Sequence, residues 1–100
     1  GVSQSGETKD TLDALQEAKL CGSNIASFCN VIGSTMSRLT GNGAYLHAGP
    51  EFAVASTKAV SNMMILFALL SLSLSDNSIE KKKIISEMRK LPNRISRQLL

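Results

Sequence analysis

The sequence predicts an α/β fold with a parallel sheet and a helix-rich second half. Three observations carry that expectation. A helical apolar period from Thr8 to Cys21 stands between two strand-like stretches, Gly1-Val2 and Ile25 to Ile32. Strand, helix and strand in succession require a crossover, and a crossover makes the two strands parallel. The longest apolar tract, Val54 to Leu74, then follows the last strand-like stretch.

Gly1-Val2 reads as the last step of a strand, because a hydroxyl-rich turn and a helical pattern follow at once. With no room for a preceding element and no initiator methionine, the chain is expected to be a fragment. In the helix that follows, Leu12, Leu15, Ala18 and Cys21 recur at three-residue steps, while Asp10, Asp13 and Glu17 take another face. Gly22 is expected to end it, since glycine accepts the left-handed backbone that stops helices. The run Ile25 to Ile32, bounded by Gly22-Ser23-Asn24 and Gly33-Ser34, suits a strand buried on both faces.

Ser34 to Leu39 is expected to form one or two helical turns, closed by Thr40-Gly41-Asn42-Gly43, with Ala44 to His47 as another short strand. Beyond the Gly49-Pro50 break, Met63 to Leu70 is apolar on every side, the pattern of a helix buried all round. Lys58, Ser61, Asn62, Ser71 and Ser73 interrupt the tract, which argues against a membrane span of roughly 18 or more unbroken apolar residues. In the last segment Ile79, Ile84, Met88, Leu91, Ile95 and Leu99 share one helical face, and Pro92 permits a break or a new first turn. Lys81-Lys82-Lys83 and Arg89-Lys90 form a solvated opposite face.

Composition narrows the function classes. With 100 residues, 43% apolar and 19% charged, this is a globular chain of about one small domain. A net charge of +3 is too small to argue for nucleic acid or a membrane surface as partner. Residues 1–57 hold three basic and five acidic side chains, and residues 58–100 hold eight and three, so the excess lies in the second half. Cys21 and Cys29 lack both CxxC spacing and an upstream signal peptide. Both are expected to be buried free thiols in a reducing, cytoplasmic setting.

The chemistry concentrates in Ser3-Gln4-Ser5-Gly6-Glu7-Thr8. Three hydroxyls, an amide and a glycine fall between a strand and a helix, where the first helical N–H groups have no internal partners. One reading is an anion site: Ser3, Ser5 and Thr8, with the backbone N–H groups from Ser5 to Thr8, would hold a phosphate monoester without Lys or Arg. The other is a plain cap, in which Ser5 or Thr8 satisfies the helix end and nothing more. His47 and Glu51 are spaced H-x-x-x-E, but Gly49-Pro50 lies between them and two ligands are too few for zinc, so a structural role is expected.

The same loop, followed by Asp10-Thr11-Leu12, closely resembles the phosphosugar-binding loop of the sugar isomerase (SIS) domains. Further segments narrow the likeness: Cys29-Asn30-Val31-Ile32-Gly33-Ser34, Ala48-Gly49-Pro50-Glu51, Val54-Ala55-Ser56-Thr57-Lys58-Ala59 and Leu91-Pro92. Together they resemble the isomerase half of the glutamine:fructose-6-phosphate amidotransferase family.

The resemblance implies an SIS-type, flavodoxin-like parallel-sheet sandwich, incomplete here. Residues 1–75 would be the later part of a first SIS domain, and residues 76–100 a helical segment leading towards an absent second one. It also implies that Ser3, Gln4, Ser5 and Thr8 grip the sugar phosphate and that the Val54 backbone reaches the sugar, with Ser56 beside it. The family usually has glycine where Ala53 stands, so a methyl group is expected to restrict the Val54 backbone.

The implied ligand is fructose 6-phosphate or glucosamine 6-phosphate, with no cofactor or metal, in an enzyme that is a homodimer. Such an enzyme makes glucosamine 6-phosphate from fructose 6-phosphate and glutamine. The ring-opening and proton-transfer groups would lie elsewhere, so the chain alone is expected to be inactive. A non-catalytic SIS module that senses phosphosugars is the alternative, and it would share the serine loop without needing the AGPE and VAST segments.

Overall fold

A computed structural model of the chain describes residues 1–52 and 54–99. Two compact units divide it, Gly1–Ala68 and Leu69–Leu100. In the first, β1 (Val2–Ser3), α1 (Lys9–Leu20), β2 (Ser27–Cys29), α2 (Thr35–Thr40) and β3 (Gly43–Tyr45) alternate, and α3 (Thr57–Leu74) begins. The strands form one parallel sheet in the order β1-β2-β3, as the succession of strand and helix requires. Val2 pairs with Phe28 and Ser3 with Cys29, while Ser27, Phe28 and Cys29 face Gly43, Ala44 and Tyr45. This is the expected α/β arrangement with a parallel sheet.

Helix α1 ends where the sequence indicated. Gly22 takes φ +79°, and the Gly22 and Ser23 N–H groups close the last turn onto the carbonyls of Lys19 and Ala18, each at 3.0 Å. Leu12 and Leu15 are buried with Met36 of α2, and Ile25 and Leu39 pack against them. This cluster fixes α1 and α2 to each other, and truncating Met36, which is fully buried, would cost about 2–5 kcal/mol.

Three burial expectations are corrected. The strand expected over Ile25 to Ile32 is confined to Ser27–Cys29, and Val31 and Ile32 are exposed. Beyond Cys29 the chain turns, with the Ser34 N–H bonded to the Val31 carbonyl and Gly33 at φ +72°, and this carries Val31 and Ile32 out of the sheet. Cys21 is exposed and Cys29 buried, both as free thiols. Cys21 continues the apolar stripe in sequence but sits at the C-cap, past the last turn that packs on the core.

The third correction concerns α3. Of its residues only Ala59 is buried, and Val60, Met64, Ile65, Phe67, Leu69 and Leu70 are exposed. Its first part nevertheless meets the sheet, where the Phe67 ring stands edge-on to Phe28 at 5.5 Å and Asn62 Nδ2 donates to the Leu46 carbonyl at 2.8 Å. By length and composition alone this helix is apolar enough to cross a membrane, although a core helix of a soluble domain meets the same criterion.

In the second unit the expected single apolar face is split between α4 (Ser78–Met88) and α5 (Leu91–Leu99). The break falls at Arg89-Lys90, and Pro92 lies in the first turn of α5, where its missing N–H costs no helical bond. Neither helix has a buried residue. Asn77 caps α4 by accepting from the Glu80 N–H at 3.1 Å.

Candidate functional site

The C-terminal ends of parallel strands are where open α/β sheets present their ligand-binding loops. Here β1 runs directly into Ser3–Thr8, β2 into Asn30–Ser34 and β3 into Leu46–Pro50. The first of these loops is organised around one hydroxyl. Ser3 is buried, and its Oγ accepts from the Gly6 N–H at 3.1 Å and lies 2.8 Å from Thr8 Oγ1 and 3.5 Å from Ser5 Oγ. Ser5 Oγ in turn accepts from the Glu7 N–H at 3.2 Å. The three hydroxyls are therefore brought together at the start of α1.

Thr8 occupies the N-cap of α1, yet its side chain makes no capping hydrogen bond. Only its carbonyl serves the helix, accepting from the Leu12 N–H at 3.0 Å. Capping by the Thr8 side chain is thus not realised: the Thr8 hydroxyl turns back to Ser3, and Asp10 is the acidic residue of the first turn. Two of the four backbone donors expected to serve an anion, those of Gly6 and Glu7, are engaged inside the loop. Gln4 is half-buried, and its carbonyl accepts from the Asn30 N–H at 3.0 Å.

Gly6 makes this turn possible. Its φ is +68°, and a Cβ there would stand 2.6 Å from the Ser34 Cβ and closer still to the Ser34 hydroxyl. The Gly6 carbonyl accepts from the Met36 N–H at 3.0 Å, so the loop rests against the start of α2.

Three residues outside the expected substrate-binding set hold these loops in place. Glu7 Oε1 accepts from the Thr35 N–H at 2.7 Å. That hydrogen bond, with the charge of Arg38, holds the Glu7 carboxyl below its ordinary pKa. Asn30 accepts from the Ala48 N–H at 2.9 Å and donates to the Gly49 carbonyl at 2.7 Å, which ties the β2 loop to the β3 loop. Glu51 Oε2 accepts from the Ala59 N–H at 3.3 Å and so caps α3, the structural role expected of it in a specific form. A polar residue directly after a strand-like run was the available signal for Asn30. Nothing in the sequence pointed from Glu51 to an amide eight positions on.

Val54 is fully exposed and Ser56 half-buried, directly before α3. Among the described residues no hydrogen bond joins either of them to the Ser3–Thr8 loop. Ala53, whose methyl group was expected to restrict this segment, lies outside the described residues. His47 is exposed with φ +50°, and with Glu51 committed to α3 the two form no ligand pair.

Comparison with known proteins places these features in a family. The model of the SIS domain matches residues 1–73. A protein named glutamine–fructose-6-phosphate aminotransferase [isomerizing] from Caldanaerobacter subterraneus subsp. tengcongensis is 44% identical over 99 residues, covering 94% of this chain and 16% of its own length. Proteins of the same name from Chlorobaculum tepidum and Thermus thermophilus are 43% and 41% identical, covering 95% and 98% of this chain. The chain spans 16–17% of the length of these relatives.

Proposed function

The chain belongs to the SIS domain family, and on that premise we propose that its Ser3–Thr8 loop grips the phosphate of a sugar phosphate. The protein it serves is then a glutamine–fructose-6-phosphate aminotransferase of the isomerizing kind, as its relatives are named. The ligand is fructose 6-phosphate or the product glucosamine 6-phosphate, bound in a cytoplasmic homodimer. Asparagine-braced neighbouring loops and the Val54-to-Ser56 segment lie on the sugar side of the phosphate. Helix α3 is on this reading an internal helix of the domain, because the SIS match extends through nearly all of it.

One observation carries the proposal: the hydroxyls of Ser3, Ser5 and Thr8 converge at a helix start that the Thr8 side chain leaves uncapped. A phosphate monoester carries up to two negative charges and several acceptor oxygens, and hydroxyls can rotate to donate to it. Binding exchanges the Ser3–Thr8 contact for bonds to an anion, while the helix dipole favours the charge. The chain's own contribution is to hold the phosphate end of the substrate. Proton transfer at the sugar falls to groups outside this loop.

The test is titration calorimetry of fructose 6-phosphate into the full-length protein and its Ser5→Ala variant. Losing one hydrogen bond to a charged group costs about 1.5–3 kcal/mol, so the variant should bind roughly tenfold or more weakly. Equal affinity in the two proteins would rule out the loop as the phosphate grip.

A further inference from the structure

We propose that Glu7 is a positioning residue for phosphate binding: its carboxylate fastens the serine loop to the start of α2 while its N–H holds the Ser5 hydroxyl. The inference rests on the reading of Ser3–Thr8 as the phosphate grip and adds to it a residue that touches no substrate.

Glu7 is the joint between two groups of contacts. On the backbone side, its N–H donates to Ser5 Oγ at 3.2 Å, which restricts one of the three hydroxyls. On the side-chain side, Oε1 accepts from the Thr35 N–H at 2.7 Å, across 28 positions of sequence. The neighbouring Gly6 carbonyl accepts from the Met36 N–H at 3.0 Å, so two consecutive loop residues hold two consecutive amides of α2. Helix α2 is itself anchored, because Met36 is fully buried with Leu12 and Leu15. The loop is thereby referred to the core instead of to solvent.

The charge argues in the same direction. A free carboxylate next to hydroxyls that receive a phosphate would repel the ligand. Bonded to the Thr35 amide, next to the Thr35 hydroxyl that accepts from Arg38 at 3.2 Å, the Glu7 carboxylate is directed to the start of α2. Ser34 accepts from the Ser37 N–H, so Glu7 serves a different amide of α2, that of Thr35, and in doing so ties the loop to the helix start. Preorganisation of the phosphate donors is what the Glu7 contact adds.

Fructose 6-phosphate binding to the full-length protein tests this, with thermal melting measured on the same samples. Glu7→Ala should weaken binding about tenfold, as expected for the loss of a bond that orders a charged-ligand site. Glu7→Gln keeps the acceptor oxygen and should stay within about twofold of wild type. Thr35→Pro removes the donor at the first position of α2, where proline is tolerated, and with it the hydroxyl that Arg38 contacts. Beside Thr35→Val, which removes the hydroxyl alone and should bind as wild type, it should reproduce the Glu7→Ala loss in a folded protein.

Binding unchanged in both Glu7→Ala and Thr35→Pro, with Ser5→Ala still weakened, would overturn the role of Glu7 and leave the phosphate grip standing. Equal weakening by Glu7→Gln and Glu7→Ala would also overturn it, by making charge the cause instead of the hydrogen bond. Unchanged binding in Ser5→Ala would remove the phosphate grip itself and the Glu7 role with it.

Discussion

The hydroxyls of Ser3 and Thr8 lie 2.8 Å apart, closing the turn between β1 and α1 from both of its ends. Ser3 leaves the sheet beside Cys29, and Thr8 is the last residue before the helix, so the contact sets where the helix starts relative to the strand. It also takes the Thr8 side chain away from the capping position that its place in the sequence suggests.

Thr8→Val should therefore act on the ligand more than on the fold. Removing the contact costs about 0.5–1.5 kcal/mol of stability, while loss of a donor to a phosphate weakens binding by about tenfold. Calorimetric titration with fructose 6-phosphate and a melting curve on the same variant separate the two effects. A large stability loss with unchanged affinity would make Thr8 a structural residue.

Gly6→Ala should destabilise the protein by about 1–3 kcal/mol and weaken phosphosugar binding. Its left-handed backbone and the Ser34 side chain against its Cβ position both oppose a methyl group. Denaturant unfolding checks this, and a wild-type midpoint would mean that the turn relaxes without cost.

Glu7 also makes stability depend on pH. Its carboxyl titrates below the ordinary range when folded, chiefly because the Thr35 N–H bonds to the charged form. The stabilisation is then fully present above the unfolded pKa and is lost as pH falls through the lower folded value. Melting temperatures measured through the acid range should fall less for Glu7→Gln than for wild type. Parallel curves would show that Glu7 does not couple to folding.

Much of the fold was legible in the sequence because the short-range signals were strong. The three-residue spacing of Leu12 and Leu15, the glycine stop at Gly22 and the strand-helix-strand order gave α1 and the parallel pairing directly. Burial was legible only where it depended on neighbours within the sheet unit. Apolar character alone could not say that β2 stops at Cys29, since the turn over residues 31–34 takes the rest of the apolar run out of the sheet. Nor could it give the exposure of α3, because hydropathy reports a preference for cover and not which surface supplies it. In the candidate site the hydroxyls were visible as a cluster. The Glu7, Asn30 and Glu51 braces were not, because each joins a side chain to a backbone group whose nearness only the fold creates.

The hundred-residue chain in isolation should self-associate. Val60, Met64, Ile65 and Leu70 are exposed along α3, and exposed apolar side chains are covered by contact with other molecules. Sedimentation velocity should show species larger than a monomer that increase with concentration. A monomer throughout, with a single sharp unfolding transition, would contradict this.

The most direct measurement is a crystal structure of the full-length protein with fructose 6-phosphate bound. The phosphate should sit at the start of α1 within hydrogen-bonding distance of the Ser3, Ser5 and Thr8 hydroxyls, with the Glu7–Thr35 bond retained. A bound sugar phosphate whose phosphate lies away from this turn, with the Ser3 and Thr8 hydroxyls still bonded to each other, would contradict the assignment of the loop.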